Sequence, residues 1–586
     1  MRRGTLAGLT ALVAVYAGTA HAGGLELMPG GTRAVGRGGA VAARAEDPFT
    51  LLYNPAGLAR IDGQRLMLNV DVPFQNACVD LYGFYGWGVY SSGDSEFGNS
   101  ATTSAYVNDP LDEVCNSARV APIPSLAWAG QITDDLGVGF GFVAPTILGG
   151  LQFGGDDGTI AAFGADGKPT TRPTPTRYQL IKQEVVFGLN PTAGVGYGLL
   201  PRLRVGATFQ LLMVKAKSRI VQAGSAGTSP HDAHLVDLTA EDFFIPTATF
   251  GVHATPIDAL DLGVAFRWSD DLRGPGKVAY ETNTYHADAT TGPVPFVNEP
   301  IPLKTVKVGL PWVLTGAVRY AGILPEARER VANGDRDPMR DELWDVELDV
   351  AYQFNKRASK NSVEAEANAK CDDVNAANPA TAPRVPCFRI GSRSAEGDPI
   401  PPLEVLEDDF TQLNIDRHLE DAVSVRLGGS YSLVPKSFAV NAGGFFETRG
   451  VNPDYASIDS FAFQRIGTGL GVTWRVGDFD LLAAYAHIFQ EELDVAPPTH
   501  EPFTRATADP TTGFDQRVGG LDASGANIAG PVKKDPDAPA PSAADGTASL
   551  RQPALVSTQS RRARVVNAGK YTAAFDIVSV AAVYRF

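Results

Sequence analysis

Long apolar runs are missing from this chain. After Ala22 no stretch of about 18 apolar residues occurs, and a transmembrane helix needs roughly that length, so a helical membrane protein is excluded. Cysteine is scarce, with four in 586 residues, and no Cys-x-x-Cys or histidine-rich spacing points to zinc. Neither a metal nor a cofactor is expected. Positive charge is in deficit: 50 Lys and Arg face 66 Asp and Glu, a formal charge of −16. That balance disfavours nucleic acid as a partner. Only 20% of residues are charged, while 62 are glycine and 41 proline, which argues against a simple soluble enzyme.

The first 22 residues carry a targeting pattern. Arg2 and Arg3 form a positive start, Leu6 to Val15 an apolar core, and Ala20-His21-Ala22 an A-x-A cleavage site. This predicts a secretory signal peptide over 1–22. In an exported chain, the even cysteine count implies disulfides among Cys78, Cys115, Cys371 and Cys387. Three pairings are possible. The sequence-local ones, Cys78 with Cys115 and Cys371 with Cys387, each close a loop-like stretch.

What recurs instead of long apolar runs is alternation. In "RLRVGATFQLLM", Leu203, Val205, Ala207, Phe209, Leu211 and Met213 share one face, and Arg204, Gly206, Thr208 and Gln210 the other. In "DELWDVELDVAY", Trp344, Val346, Leu348, Val350 and Tyr352 oppose Asp345, Glu347 and Asp349. An apolar outer face over a polar or glycine-rich inner face marks a transmembrane β-barrel strand. The alternative, a soluble β-sandwich, would have to hold the all-carboxylate faces unpaired in a dry core.

Counting such segments predicts strands at 65–73, 124–132, 136–145, 181–198, 202–220, 243–255, 260–269, 303–320, 342–355, 419–433, 437–448, 463–475, 478–490 and 571–586. The count is even, and short turns alternate with long polar connections. The long ones are 74–123, 146–180, 221–242, 270–304, 356–418, 449–462 and 491–570. This is the asymmetry of periplasmic turns and extracellular loops. The chain ends on an alternating strand with Phe586 last. The charged stretch 321–341 falls on the short-turn side, yet is much longer than the other turns.

The stretch "AVGRGGAVAARAEDPFTLLYNPAGLAR", with Gly36-Arg37-Gly38-Gly39 and Asn54-Pro55-Ala56-Gly57-Leu58, resembles the N-terminus of the FadL/TodX family of outer-membrane transporters. "PSLAWAGQITDDLGVGFGFVAP" resembles the family's second and third strands, and "VSVRLGGSYSL", "YAHIF" and "GKYTAAFDIVSVAAVYRF" its later ones. The resemblance implies an all-β, fourteen-stranded, monomeric barrel over 63–586, plugged by an N-terminal hatch at 23–62. It implies a cell outer-membrane location in a Gram-negative bacterium and passive uptake of long-chain fatty acids or aromatic hydrocarbons. Release would be sideways into outer-membrane lipid at a kink in the third strand. The competing functions are a secretion-associated or surface-scaffold barrel and a lipid enzyme; no serine-histidine motif is visible for the enzyme.

Several residues become candidates. Gly137, Gly139 and Gly141 share one face of the third strand before Pro145, which cannot donate to a ladder. They leave room for a hatch or an acyl chain. Asn54-Pro55-Ala56 is expected inside the barrel beside 139–146. Lys307, Arg319, Asp345, Glu347, Asp349 and Arg426 predict a cross-strand ion-pair network in the lumen. Lys307, Arg319, Arg426 and Arg204 are the candidate cations for a carboxylate. His487 is expected to pack in the lumen. His231 and His234 in a loop make too poor a donor set for a metal.

Overall fold

Alternation of apolar and polar side chains carries the wall until it closes on itself. The computed structural model describes residues 30–44, 46–81, 111–143, 150–163, 167–222, 234–282, 287–288, 292–293, 300–332, 334–365, 412–458, 462–495, 514–515 and 569–586. The expectations for 1–22, Pro145, Cys371, Cys387 and His231 lie outside the described residues. The wall strands are β1 Gln64–Leu81, β2 Ile123–Thr133, β3 Leu136–Val143, β4 Lys182–Leu200, β5 Leu203–Gln222, β6 His234–Ile257 and β7 Leu260–Ser269. They continue as β8 Trp312–Ile323, β9 Glu342–Phe354, β10 Ala422–Val434, β11 Phe438–Glu447, β12 Arg465–Val476, β13 Phe479–Gln490 and β14 Gly569–Arg585.

Each strand pairs antiparallel with the next, and β14 returns to β1 in unbroken register from Arg65↔Arg585 to Leu81↔Gly569. Closure removes the sheet edge, so every wall strand has a ladder on both sides. On β9, Trp344, Val346, Leu348, Val350 and Tyr352 are exposed outward, while Asp345, Glu347 and Asp349 are buried inward. Phe140, Phe250, Leu470 and Val580 continue the exposed apolar surface on β3, β6, β12 and β14. Such a belt suits lipid, and a closed barrel satisfies the backbone there without water.

The structure departs from the expected strands in three places. The segment 303–320 is two strands: Ile301–Val308 belongs to an extension beyond the wall, and β8 begins at Trp312. Pro311, which has no N–H for a ladder, marks the break. The extension continues the upper half of β6, whose His234–Ala240 pairs with Leu272–Thr282, followed by Ile301–Val308, Lys360–Ala365 and Gln412–Asp416. Second, β1 runs on to Leu81, where Cys78 and Cys115 are joined, so the loop expected from 74 starts later. Third, His487 faces outward between the exposed Tyr485 and Phe489, with Nδ1 2.7 Å from Asp576 Oδ1. The inward face of β13 is instead Leu482, Ala484, Ala486 and Ile488. When both faces are apolar, alternation alone does not say which is inside.

Residues 30–44 and 46–61 pass inside the barrel. Two short helices, α1 Thr32–Gly36 and α2 Thr50–Tyr53, lead to a 3-10 turn, Pro55–Arg60. The wall meets this segment at glycines. A Cβ on Gly206 would stand 2.4 Å from Ala56 N, one on Gly443 2.1 Å from Arg37 O, and one on Gly469 2.0 Å from Val35 O. The fit is reciprocal at Gly38, whose φ of +61° suits glycine and whose Cβ would stand 2.4 Å from Gly444 N.

Gly206→Val is therefore expected to cost about 1–3 kcal/mol through overpacking and to expose residues 30–62 to protease. Gly316→Ala, where a Cβ meets nothing within 4 Å, is the matched control. Identical limited-proteolysis patterns and urea midpoints for the two would contradict the close fit.

Candidate functional site

The Asn-Pro element is a cap rather than a simple break. Asn54 sits in extended backbone, its Oδ1 accepts from Ala56 N at 3.3 Å, and Pro55 starts the 3-10 turn, where its missing N–H costs nothing. The same side chain ties the segment to itself and to the wall: Nδ2 donates to Ala42 O and to Val252 O, both at 3.1 Å. Asn54-Pro55-Ala56 lies against Gly196, Gly206, Gly251 and Gly263 of β4–β7; of the expected neighbours 139–146, residues 144–146 lie outside the described residues. The residues that meet β3 are Leu58 and Leu51, whose atoms would contact a Cβ on Gly137 or Gly139. Those two glycines accommodate the segment. The inward position at Gly141 faces Leu126 O and Ala127 of its own wall.

The carboxylates of β9 hold the segment electrostatically. Arg37 is fully buried; its Nη2 donates to Asp345 Oδ1 at 2.7 Å and Glu347 Oε2 at 3.0 Å, and its Nη1 to Ser430 Oγ at 2.6 Å. Ala43 N donates to Glu347 Oε1 at 2.7 Å, and Val41 N and Ala42 N both donate to Asp349 Oδ2 at 3.0 Å. Arg44 pairs with Asp345 and Glu46. Arg33 lies 2.6 Å from Glu46 and 3.0 Å from Asp47. Burial pushes the Glu46 carboxyl up, but Arg33 and Arg44 outweigh it and hold it at about 2.

A second anionic centre, Asp261 on β7, joins three elements. It pairs with Arg60 of the 3-10 turn at 2.9 Å, with Arg319 of β8 at 2.8 Å and with Arg336 at 3.1 Å. Arg336 belongs to the connection 324–341, which spans the short-turn end of the barrel. There Asp337 pairs with Arg475 of β12 at 2.9 Å, and Met339 O accepts from Lys436 N in the β10–β11 turn at 3.1 Å. Burial raises the Asp337 carboxyl, but Arg475 and Arg65 hold it below its usual value.

Of the lumen charges expected from sequence, Arg319, Asp345, Glu347 and Asp349 come together, and Arg426 lines a cavity with Asp349. Lys307 lies in the extension, 3.3 Å from Asp271, and not on β8. Arg204 is near the opposite end of β5, with Nη1 3.5 Å from Thr255 Oγ1. Two of the cations that meet the β9 carboxylates, Arg37 and Arg44, were missed. Their signal was in the quoted stretch: two arginines amid glycine and alanine, in a chain with an all-acid inner strand face.

On the long-connection side of the segment lies a cavity of about 90 Å³. Leu52, Tyr53, Ala265 and Val313 give it an apolar part, and Thr249, Arg267, Asp349, Gln353 and Arg426 a polar part.

No protein-family model matches the chain, and no curated protein matches it. Solved structures do. A FadL homologue of Pseudomonas aeruginosa is 13% identical, with 97% of this chain and 100% of that one covered and a TM-score of 0.58. The toluene transporter TodX of P. putida is 12% identical, with 96% and 99% covered and a TM-score of 0.49. The first likeness, at that identity, establishes a shared fold: this is a closed, fourteen-stranded barrel of the FadL type.

Arg37→Ala leaves Asp345 and Glu347 short of a buried partner and is expected to cost about 3–5 kcal/mol, read as a lower urea midpoint. The hold of Glu46 has a defined pH window. Its folded pKa lies below the ordinary 4.5, so the stabilisation is complete above that value and lost as pH falls towards 2. Unfolding midpoints measured from pH 6 to 3 should drop in the wild type, and the drop should be smaller in Glu46→Gln.

Proposed function

We propose that this chain is an outer-membrane channel for passive uptake of hydrophobic small molecules, long-chain fatty acids or aromatic hydrocarbons, with residues 23–62 as its hatch. The observation that carries the reading is the packing of residues 30–61 against glycines of the wall, beneath a small, partly apolar cavity. That cavity, about 90 Å³, is well below the roughly 300–1,000 Å³ usual for a ligand site. Passage of a whole hydrophobic molecule therefore requires the hatch to rearrange.

Sideways release near β3 is the exit favoured here. Two features support it. The straight path to the short-turn end is crossed by 324–341, held through Arg336 and Asp337. On β3, the hatch meets Gly139 through the apolar side chains of Leu51 and Leu58 and Gly137 through the backbone of Leu58 and Ala59, contacts that give way more cheaply than the buried ion pairs on β9. The exposed apolar belt would place an emerging molecule directly in lipid.

Uptake of a labelled long-chain fatty acid and a labelled aromatic hydrocarbon should be compared in a strain lacking this chain and in the same strain complemented. Loss of uptake of at least one, restored on complementation, is expected. Unchanged uptake of both, with loss of a surface-bound partner, would overturn the reading in favour of a scaffold barrel.

A further inference from the structure

The outer face of the wall changes character at one level. On β5, Thr208, Gln210, Leu212 and Val214 are buried, so the alternate residues face outward, and from Leu203 to Met213 these are all apolar. That stretch rises about 34 Å along the strand and about 25 Å along the barrel axis at the usual tilt, the height of a lipid-facing band. The outward positions that follow are Lys215, Lys217 and Arg219. Neighbouring strands mark the same edge. Phe187 of β4 lies opposite Lys215, its ring meets that of Phe243 of β6 edge-on at 6.0 Å, and Phe244 is 71% exposed.

Above the rings, part of the positive charge is unmatched. Lys215 pairs with Glu241 at 2.7 Å, Arg219 with Asp237, and Lys182 with Asp156 at 3.2 Å. Lys217 and Lys277 are exposed and have no partner among the described residues. Both lie directly opposite Thr239 of β6, one on either side, so the three share the outer face. Their backbones are two strand spacings apart, about 10 Å, a gap that two flexible lysine stems close around one anion. Each ammonium brings three donors. Two unpaired cations on one face repel each other, and an anion between them removes that repulsion.

We propose that this face docks a phosphate-bearing lipid headgroup of the leaflet at the long-connection end, with the phosphate between Lys217 and Lys277 and the acyl chains along Phe187, Phe243 and Phe244. The proposal takes the outer-membrane placement of the barrel as its premise and does not depend on what the lumen carries. A soluble anion uses the lysines but not the rings, and an uncharged lipid the rings but not the lysines. An extended acidic protein surface meets Asp237 and Glu241 as well, which stand outward opposite Arg219 and Lys215. A single phosphate above the lipid band avoids them and takes the one gap where both cations are unpaired.

The test is native mass spectrometry of the purified full-length chain released from detergent, with three probes: diphosphoryl lipid A, the same lipid freed of its phosphates, and inorganic phosphate. Lipid A should bind about tenfold more tightly than its phosphate-free form. Lys217→Gln combined with Lys277→Gln should remove most of that difference. Lys436→Gln combined with Lys570→Gln, at exposed lysines elsewhere, should leave it intact. Phe244→Ser should weaken both lipids alike. Equal binding of the two lipids, a difference that survives the Lys217 and Lys277 changes, or an equal loss in the Lys436 and Lys570 variant would overturn the proposal. Inorganic phosphate binding as tightly as lipid A would overturn a lipid as the occupant. The readout is binding to the outer face, so its failure leaves the uptake reading standing, and unchanged uptake in the deletion strain leaves the binding result standing.

Discussion

Three carboxylates on one strand face set the terms for everything around them. Asp345, Glu347 and Asp349 point inward from β9 and are buried, and buried charge is costly unless paired and hydrogen-bonded. The wall alone does not supply the answer. Arg37, Arg44 and the N–H groups of Val41, Ala42 and Ala43 do, all from a segment that precedes the first wall strand. The barrel wall and residues 31–44 are therefore two halves of one electrostatic structure.

Shape follows the same division. Where the N-terminal segment presents Arg37 and Arg44 the wall is acidic, and where it presents backbone the wall is glycine, at Gly206, Gly263, Gly428, Gly443 and Gly469. Asp261 extends the network downward, linking Arg60 of the 3-10 turn to Arg319 of the wall and Arg336 of the short-turn connection. The ion pairs of Arg37, Arg44 and Arg60 run to β7 and β9, and the apolar cluster of Phe49, Leu51, Leu58 and Ile61 includes Met67 of β1, Ala127 and Ala129 of β2 and Val143 of β3.

Much of the fold was legible because a barrel wall repeats one rule. Trp344 to Tyr352 showed their outward face, and the short and long connections showed the two ends. The rule fails where its premises do. At His487 both faces of the strand are apolar, so inside and outside could not be told apart. At Lys307 the alternation continued past the lipid belt into the extension, and only the proline at 311 marked the break. The site was less legible because it is made of long-range partners. Asp345 and Arg37 are far apart in sequence, and the inner acid face was matched to neighbouring strands instead of to the N-terminal arginines. The partners of Asn54-Pro55 on β4–β7 depend on how the N-terminal segment threads the lumen, which no local pattern encodes.

The most direct test of a hatch that fills the lumen is single-channel conductance of the full-length chain in a planar lipid bilayer, beside a variant lacking residues 31–61. The account predicts no sustained ion current from the full chain and a steady open-pore current from the shortened one. A stable, porin-like current from the full chain would contradict it.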